Sequence, residues 1–166
     1  MVYKASLDLL AKIMTAIVFI ILAVVGYMGL EATIASHGHF QTIFFYSGLF
    51  LFLVVIILIC YYYAPQSYIV DSSDLFIVRY AGNVKIKLSD IAQVVLLPDN
   101  EVGGMVRTFG VGGLFGYYGK YYSFKMGSLT LYTTQRKNRI LIITRQGQKM
   151  LITPDDRKMS EKLQSH

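Results

Sequence analysis

Cysteine is nearly absent from this 166-residue chain, with Cys60 alone, and tryptophan is missing altogether. One cysteine excludes a disulfide framework and a cysteine-based zinc site. Charged residues are also scarce, at 16% against about 25% in an ordinary soluble domain. Hydrophobic residues reach 54%, which excludes a disordered chain. No histidine lies between Pro65 and Ser165, so that stretch cannot build a Ser–His or Cys–His nucleophile. His37 and His39, with Glu31 nearby, fall short of the ligand set of a metal site, and the reading includes no cofactor.

What is present is apolar residues in two blocks. Ile13 to Leu30 and Ile43 to Tyr63 contain no Asp, Glu, Lys or Arg. As helices they would measure about 27 and 31 Å, close to the roughly 30 Å hydrocarbon core of a bilayer. Tyr27 ends the first, Tyr61, Tyr62 and Tyr63 end the second, and such rings collect at the headgroup level. Pro65 stops the second helix. The first block exceeds the 7–15 apolar residues of a signal peptide and is followed by another, so it reads as a span rather than a cleaved leader. Lys4 and Lys12 precede the first span, the link from Glu31 to Thr42 has no Lys or Arg, and the chain turns basic from Arg79 onward. The positive-inside rule then places both termini of this multi-pass chain in the cytoplasm, a pattern that suits the inner (plasma) membrane. The absence of charge within the spans points to an anchor rather than an ion path.

Residues 65–166 form a second unit, beside an anchor at 1–64. Here the period is two, most plainly in Val84-Lys85-Ile86-Lys87-Leu88. Tyr68–Val70, Leu75–Tyr80, Ala92–Leu97, Leu129–Thr134, Ile140–Thr144 and Lys149–Thr153 read as further strands. Turn residues separate several of them, as in Asp71-Ser72-Ser73-Asp74, Ala81-Gly82-Asn83 and Arg145-Gln146-Gly147-Gln148. Thr153-Pro154-Asp155-Asp156 reads as a helix start, with Met159 and Leu163 on one face of the helix that follows. The expected fold is a transmembrane helix hairpin followed by about seven antiparallel strands, a partly open barrel closed by a C-terminal helix.

Tyr68-Ile69-Val70, Leu75-Phe76-Ile77-Val78-Arg79, Gly82 and Val84-Lys85-Ile86-Lys87-Leu88-Ser89-Asp90-Ile91 resemble the opening of bacterial pleckstrin-homology (PH)-like domains. The ending, Ile140 to Thr144 and Ile152 to Asp156, is similar to their last strands and helix start. The resemblance covers roughly residues 65–166 and implies a binding or scaffolding module that often self-associates. PH domains that bind phosphoinositides carry a basic motif around the first hairpin, where this chain has Asp71-Ser72-Ser73-Asp74.

The segment at about 98–127 is rich in glycine and aromatics. Gly110-Val111-Gly112-Gly113-Leu114-Phe115 lacks the third glycine of a dinucleotide fingerprint, and Gly119-Lys120 is followed by Tyr121 rather than Ser or Thr. Three readings stay open for it: a hairpin that extends the sheet, a protein contact, or a lipid contact. The contact residues would be Arg107, Phe109, Leu114, Phe115, Tyr117, Tyr118, Lys120, Tyr121, Tyr122 and Lys125. Arg136, Lys137 and Arg139 form a basic turn that could face anionic headgroups. Asp99 with Glu101 and Asp155 with Asp156 nominate no catalytic pair: the first reads as an exposed turn, the second as a helix cap.

The functional expectation is a non-enzymatic, membrane-anchored binding module that assembles with itself or docks on a membrane protein. The alternative is a peripheral module that senses anionic lipid, and a remote third is an enzyme of unrecognised chemistry. Gly26 and Gly29 offer small residues for a helix contact. Scattered positive charge on a membrane-tied domain argues against nucleic acid.

Overall fold

The computed structural model describes residues 1–98 and 104–164. A short strand, β1 (Val2–Lys4), precedes two long helices, α1 (Leu9–Ala35) and α2 (Phe40–Tyr63). Both are long and apolar enough to cross a membrane, and almost nothing in the chain covers their sides. Each extends past the uncharged block read from sequence, so the link shrinks to a turn at 36–39 where His37 and Gly38 adopt positive φ. Gly26 packs against Phe50 and Gly29 against Tyr46, with 3.2 Å between each added Cβ and its neighbour. The small residues of the first helix therefore serve contact with α2 inside the chain. α2 ends where Pro65 requires it, with Ala64 already extended (ψ 136°).

Nine further strands follow: β2 (Ser67–Val70), β3 (Asp74–Val78), β4 (Val84–Lys87), β5 (Ile91–Leu97), β6 (Met105–Gly113), β7 (Gly116–Ser123), β8 (Gly127–Thr133), β9 (Arg139–Thr144) and β10 (Lys149–Ile152). Sheet one has the order β1-β2-β3-β4, and sheet two β5-β9-β10-β8-β7-β6. A single 3-10 turn at Leu88–Asp90 carries the chain from one to the other. The main core lies between the sheets, built on Tyr68, Leu75, Ile77, Ile140, Ile142 and Ile152. A second cluster, with Leu129, Leu131, Leu141 and Leu151, covers the opposite face of sheet two. The final helix, α3 (Lys158–Gln164), closes the main core with Met159 and Leu163.

The seven expected strands are present, and three more join them. Pairing is antiparallel except for β8 with β10, which run parallel, Leu131 opposite Leu151. Chain order explains this: the chain reverses after β8 and again after β9, and β10 then inserts between β9 and β8, so it runs in the direction of β8. Ile140, Leu141 and Ile142 are all buried, as are Met150, Leu151 and Ile152, so the two central strands are covered on both faces. The helix start also differs. α3 begins at Lys158, whose N–H bonds Asp156 Oδ1 at 2.9 Å. Asp155 turns away to accept from Ser6 N (3.0 Å) and Ser6 Oγ (2.6 Å), so only the second carboxylate of the expected cap serves the helix.

Tyr68 ties the two sheets. Its hydroxyl donates to the Tyr132 carbonyl at 2.6 Å and accepts from Thr153 N at 3.3 Å. Burial pushes this phenol up to about 12, whereas an exposed phenol titrates near 10. Folding thus favours the neutral form, and that contribution is whole below pH 10 and lost as pH rises toward 12. Thermal unfolding of the full chain in detergent should show stability falling across this window by up to about 1.4 kcal/mol per pH unit from Tyr68. Tyr68→Phe should remove that slope and cost about 1–3 kcal/mol at pH 7, because two buried partners lose their hydrogen bond.

Candidate functional site: the membrane-proximal hairpin

The glycine- and aromatic-rich segment, apart from residues 99–103, which lie outside the described residues along with the Asp99–Glu101 turn, is a long hairpin. β6 and β7 pair from Met105 opposite Ser123 to Gly113 opposite Gly116, leaving Leu114 and Phe115 at the tip. Midway, Gly110 faces Gly119, and both have φ that favours glycine, at 126° and 116°. A Cβ on Gly110 would stand 2.2 Å from the Tyr118 carbonyl oxygen, and one on Gly119 2.4 Å from that of Phe109. Only paired glycines let the strands approach this closely while the bulge between Arg107 and Phe109 bends them.

The bend carries the tip onto the helices. Phe115 N–H donates to Thr15 Oγ1 at 3.1 Å, and its ring meets Phe19 and Tyr61 edge-on at 6.3 and 5.3 Å. These contacts hold Phe115 at φ 55°, a conformation that phenylalanine rarely takes. Tyr118 donates to the Cys60 carbonyl at the end of α2. Tyr117 donates to Asp8, at 3.2 Å to Oδ1. That same carboxylate caps α1 through Ala11 N (2.8 Å) and pairs with Arg136 Nε at 3.1 Å. Burial, then the Asp8 charge, pushes the Tyr117 phenol up to about 12; burial and the neighbouring Cys60 raise that of Tyr118. On the α2 side, Ala81 N–H bonds the Tyr62 carbonyl at 2.9 Å, Tyr80 stacks on Tyr61 at 5.1 Å, and the Arg79 guanidinium lies over Tyr63 and Tyr132.

The expected contact residues therefore divide. Phe115, Tyr117 and Tyr118 bind the chain's own helices, and Leu114 sits half-buried beside them. Tyr121 is buried in the second cluster, with its hydroxyl on the Val111 carbonyl at 2.7 Å. Tyr118 and Tyr121 are thus internal rather than part of an outward surface: they lie on opposite faces of β7, Tyr118 against the end of α2 and Tyr121 in the second cluster. Arg107, with its guanidinium near Tyr121 and Gly112, remains exposed, as do Phe109 (78%), Lys120, Tyr122 and Lys125. In the basic turn Arg136 is paired with Asp8, Lys137 is exposed, and Arg139 opens β9 opposite Leu97. Asn138, at φ 53°, donates to the Asp155 carbonyl at 2.9 Å, which fixes the turn to the chain end.

Two residues central to this junction were not singled out from sequence. Asp8 is a lone carboxylate in the N-terminal segment, and its only local signal is its position before an apolar run, where a helix cap belongs. Thr15 carries no signal at all, since a hydroxyl inside a span ordinarily bonds its own helix.

Gly110→Ala should open the hairpin and destabilise the protein more than Gly127→Ala, whose Cβ meets nothing within 4 Å and whose backbone cost is about 1–2 kcal/mol. Asp8→Ala should remove the cap and both side-chain contacts, at a cost of about 1–2 kcal/mol for the cap alone. Hydrogen exchange of the full chain should show faster exchange at residues 113–118 in Asp8→Ala, with β2 to β4 unchanged.

Compared with curated proteins and with solved structures, the chain matches none. The family described as Bacterial PH domain matches residues 66–166, which is the whole of the chain after α2 apart from its first two residues. The chain, two long apolar helices bolted to a two-sheet domain, belongs to the bacterial PH domain family.

Proposed function

We propose that this protein is a non-enzymatic, membrane-anchored module that holds its PH-like domain at the cytoplasmic face and docks a second copy of itself or a membrane-protein partner. The family supports a binding or scaffolding role in general. The membrane anchor is α1 with α2, two spans lying within residues 1–64. Pairing of β1 with β2 supports a common side for the N-terminus and the domain, because Val2–Lys4 and Ser67–Ile69 flank the helix pair and sit in one sheet.

The observation that carries the docking reading is the exposed edge of sheet two. β6 is its terminal strand, nine residues long, and its outer edge has no partner among the described residues. Val106 and Phe109 stand 52% and 78% exposed on it, with Tyr122 beside them on β7. Proteins ordinarily protect such an edge by charge, shortness or a cover, and a long edge with apolar side chains is a template for another chain. A lipid-sensing role is favoured by a different observation: the tip lies level with Thr15 and Phe19 of α1, and Arg136 and Lys137 lie at the start of that helix, where anionic headgroups would gather.

Cysteine cross-linking in native membranes separates these readings. In a Cys60→Ser background, Val106→Cys should form a discrete product, of twice the chain mass for self-assembly or another fixed mass for a partner. Ser72→Cys, on the exposed turn of sheet one, should give none. No product from Val106→Cys would sink the docking reading. Under the lipid reading, exchange protection at 113–116 and 136–139 would instead rise with the anionic lipid content of a nanodisc.

A further inference from the structure

Sheet one stops at β4, while sheet two continues past it through β8, β7 and β6. The step between them is a groove of about 880 Å³. One wall is β4 itself, and the floor includes Thr130 of β8 and Lys120 of β7, which face each other across their strand pair. Four lysines line the groove, Lys85, Lys87, Lys120 and Lys149, against the single carboxylate of Asp90. Lys85 is held by Asp74 at 3.0 Å, on the outer face of sheet one, and Lys149 donates to the Met126 carbonyl at 2.6 Å. Lys87 stands opposite Asp74 on β3 without a direct ion pair, Lys120 forms none among the described residues, and both are exposed.

We propose that this groove binds an extended acidic segment of a partner protein, which adds to β4 as a further strand of sheet one. The proposal rests on the binding-module reading and assigns that module a second, separate contact. Three features select this occupant. The outer edge of β4 presents backbone N–H and C=O groups with no strand partner among the described residues, and such groups pair with another extended chain. Four residues of β4 span about 13 Å, enough to register a short strand and too little to seat a helix along its length. The excess of lysine complements carboxylates, and the apolar lining from Val84, Ile86 and Met150 receives the alternate, apolar side chains of such a strand.

The test uses the full chain in nanodiscs of zwitterionic lipid, with a fluorescein-labelled octapeptide of alternating glutamate and valine as probe. Fluorescence anisotropy should show it binding at least tenfold more tightly than the alternating lysine–valine peptide. Lys87→Glu with Lys120→Glu should weaken binding at least tenfold, while Lys4→Glu with Lys158→Glu, the same charge change outside the groove, should leave it within twofold. Methylating alternate backbone nitrogens of the probe should abolish binding if it adds as a strand. Equal binding of the two peptides, no binding at 1 mM, or equal loss in both charge-reversed variants would overturn the groove. Loss of binding only in Phe109→Glu would also overturn it and move the segment to the edge of β6. None of these failures touches the cross-link at Val106, so the module reading stands or falls separately.

Discussion

The carboxylate of Asp8 is the point at which the helices and the sheets become one body. It caps α1, accepts from the Tyr117 hydroxyl and pairs with Arg136, while its backbone N–H bonds the Thr134 carbonyl at 3.1 Å. One side chain thus fixes the helix start, the hairpin and the basic turn together. The ion pair by itself is partly exposed, and such pairs contribute less than about 1 kcal/mol. Its importance lies in geometry, since three elements lose their common reference if the carboxylate moves.

Around that point, contacts accumulate from both helices. Phe115 wedges between Phe19 and Tyr61, and the turn at Arg79–Gly82 reaches the last residues of α2. A domain on a flexible tether would leave these surfaces wet. Here the tether is absent: Ala64 and Pro65 are buried, and β2 starts at Ser67. The domain is therefore held in a fixed pose against the helices: β6 ends on α1, where Gly113 abuts Met14, while Val106 and Phe109 further back on β6 and Lys87 beside the groove stay exposed to other molecules.

Much of this was legible in the sequence, and the limits have physical causes. Uncharged blocks bounded by tyrosines and Pro65 mark the helices to within a few residues, because an apolar run of that length admits few other structures. Alternation in Val84–Lys87 marks a strand with one wet face, as found. β1 escaped notice because three residues carry no period. The hairpin remained one reading among three, since its regularity depends on Gly110 facing Gly119, and pairing is a property of two strands rather than of one. Asp155 read as a helix cap because its neighbours fit that pattern; Ser6, 149 positions away, takes it instead. The contact residues could be nominated by type, but which of them turn inward is set by register, and Tyr118 and Tyr121 are buried on opposite faces of β7.

The pairing of β1 with β2 bears on how the protein comes to be made. Lys4 and Ser67 lie opposite each other, yet the whole helix pair separates them in the chain. The first strand is made early and has no neighbour in sheet one until both helices and Ser67 have followed it. Sheet one can close only once the helix pair has brought the chain back beside its start. Under the proposed anchoring, completion of sheet one registers that both helices have been inserted, and a chain whose second helix fails to return keeps β1 and β2 apart, each with a bare edge.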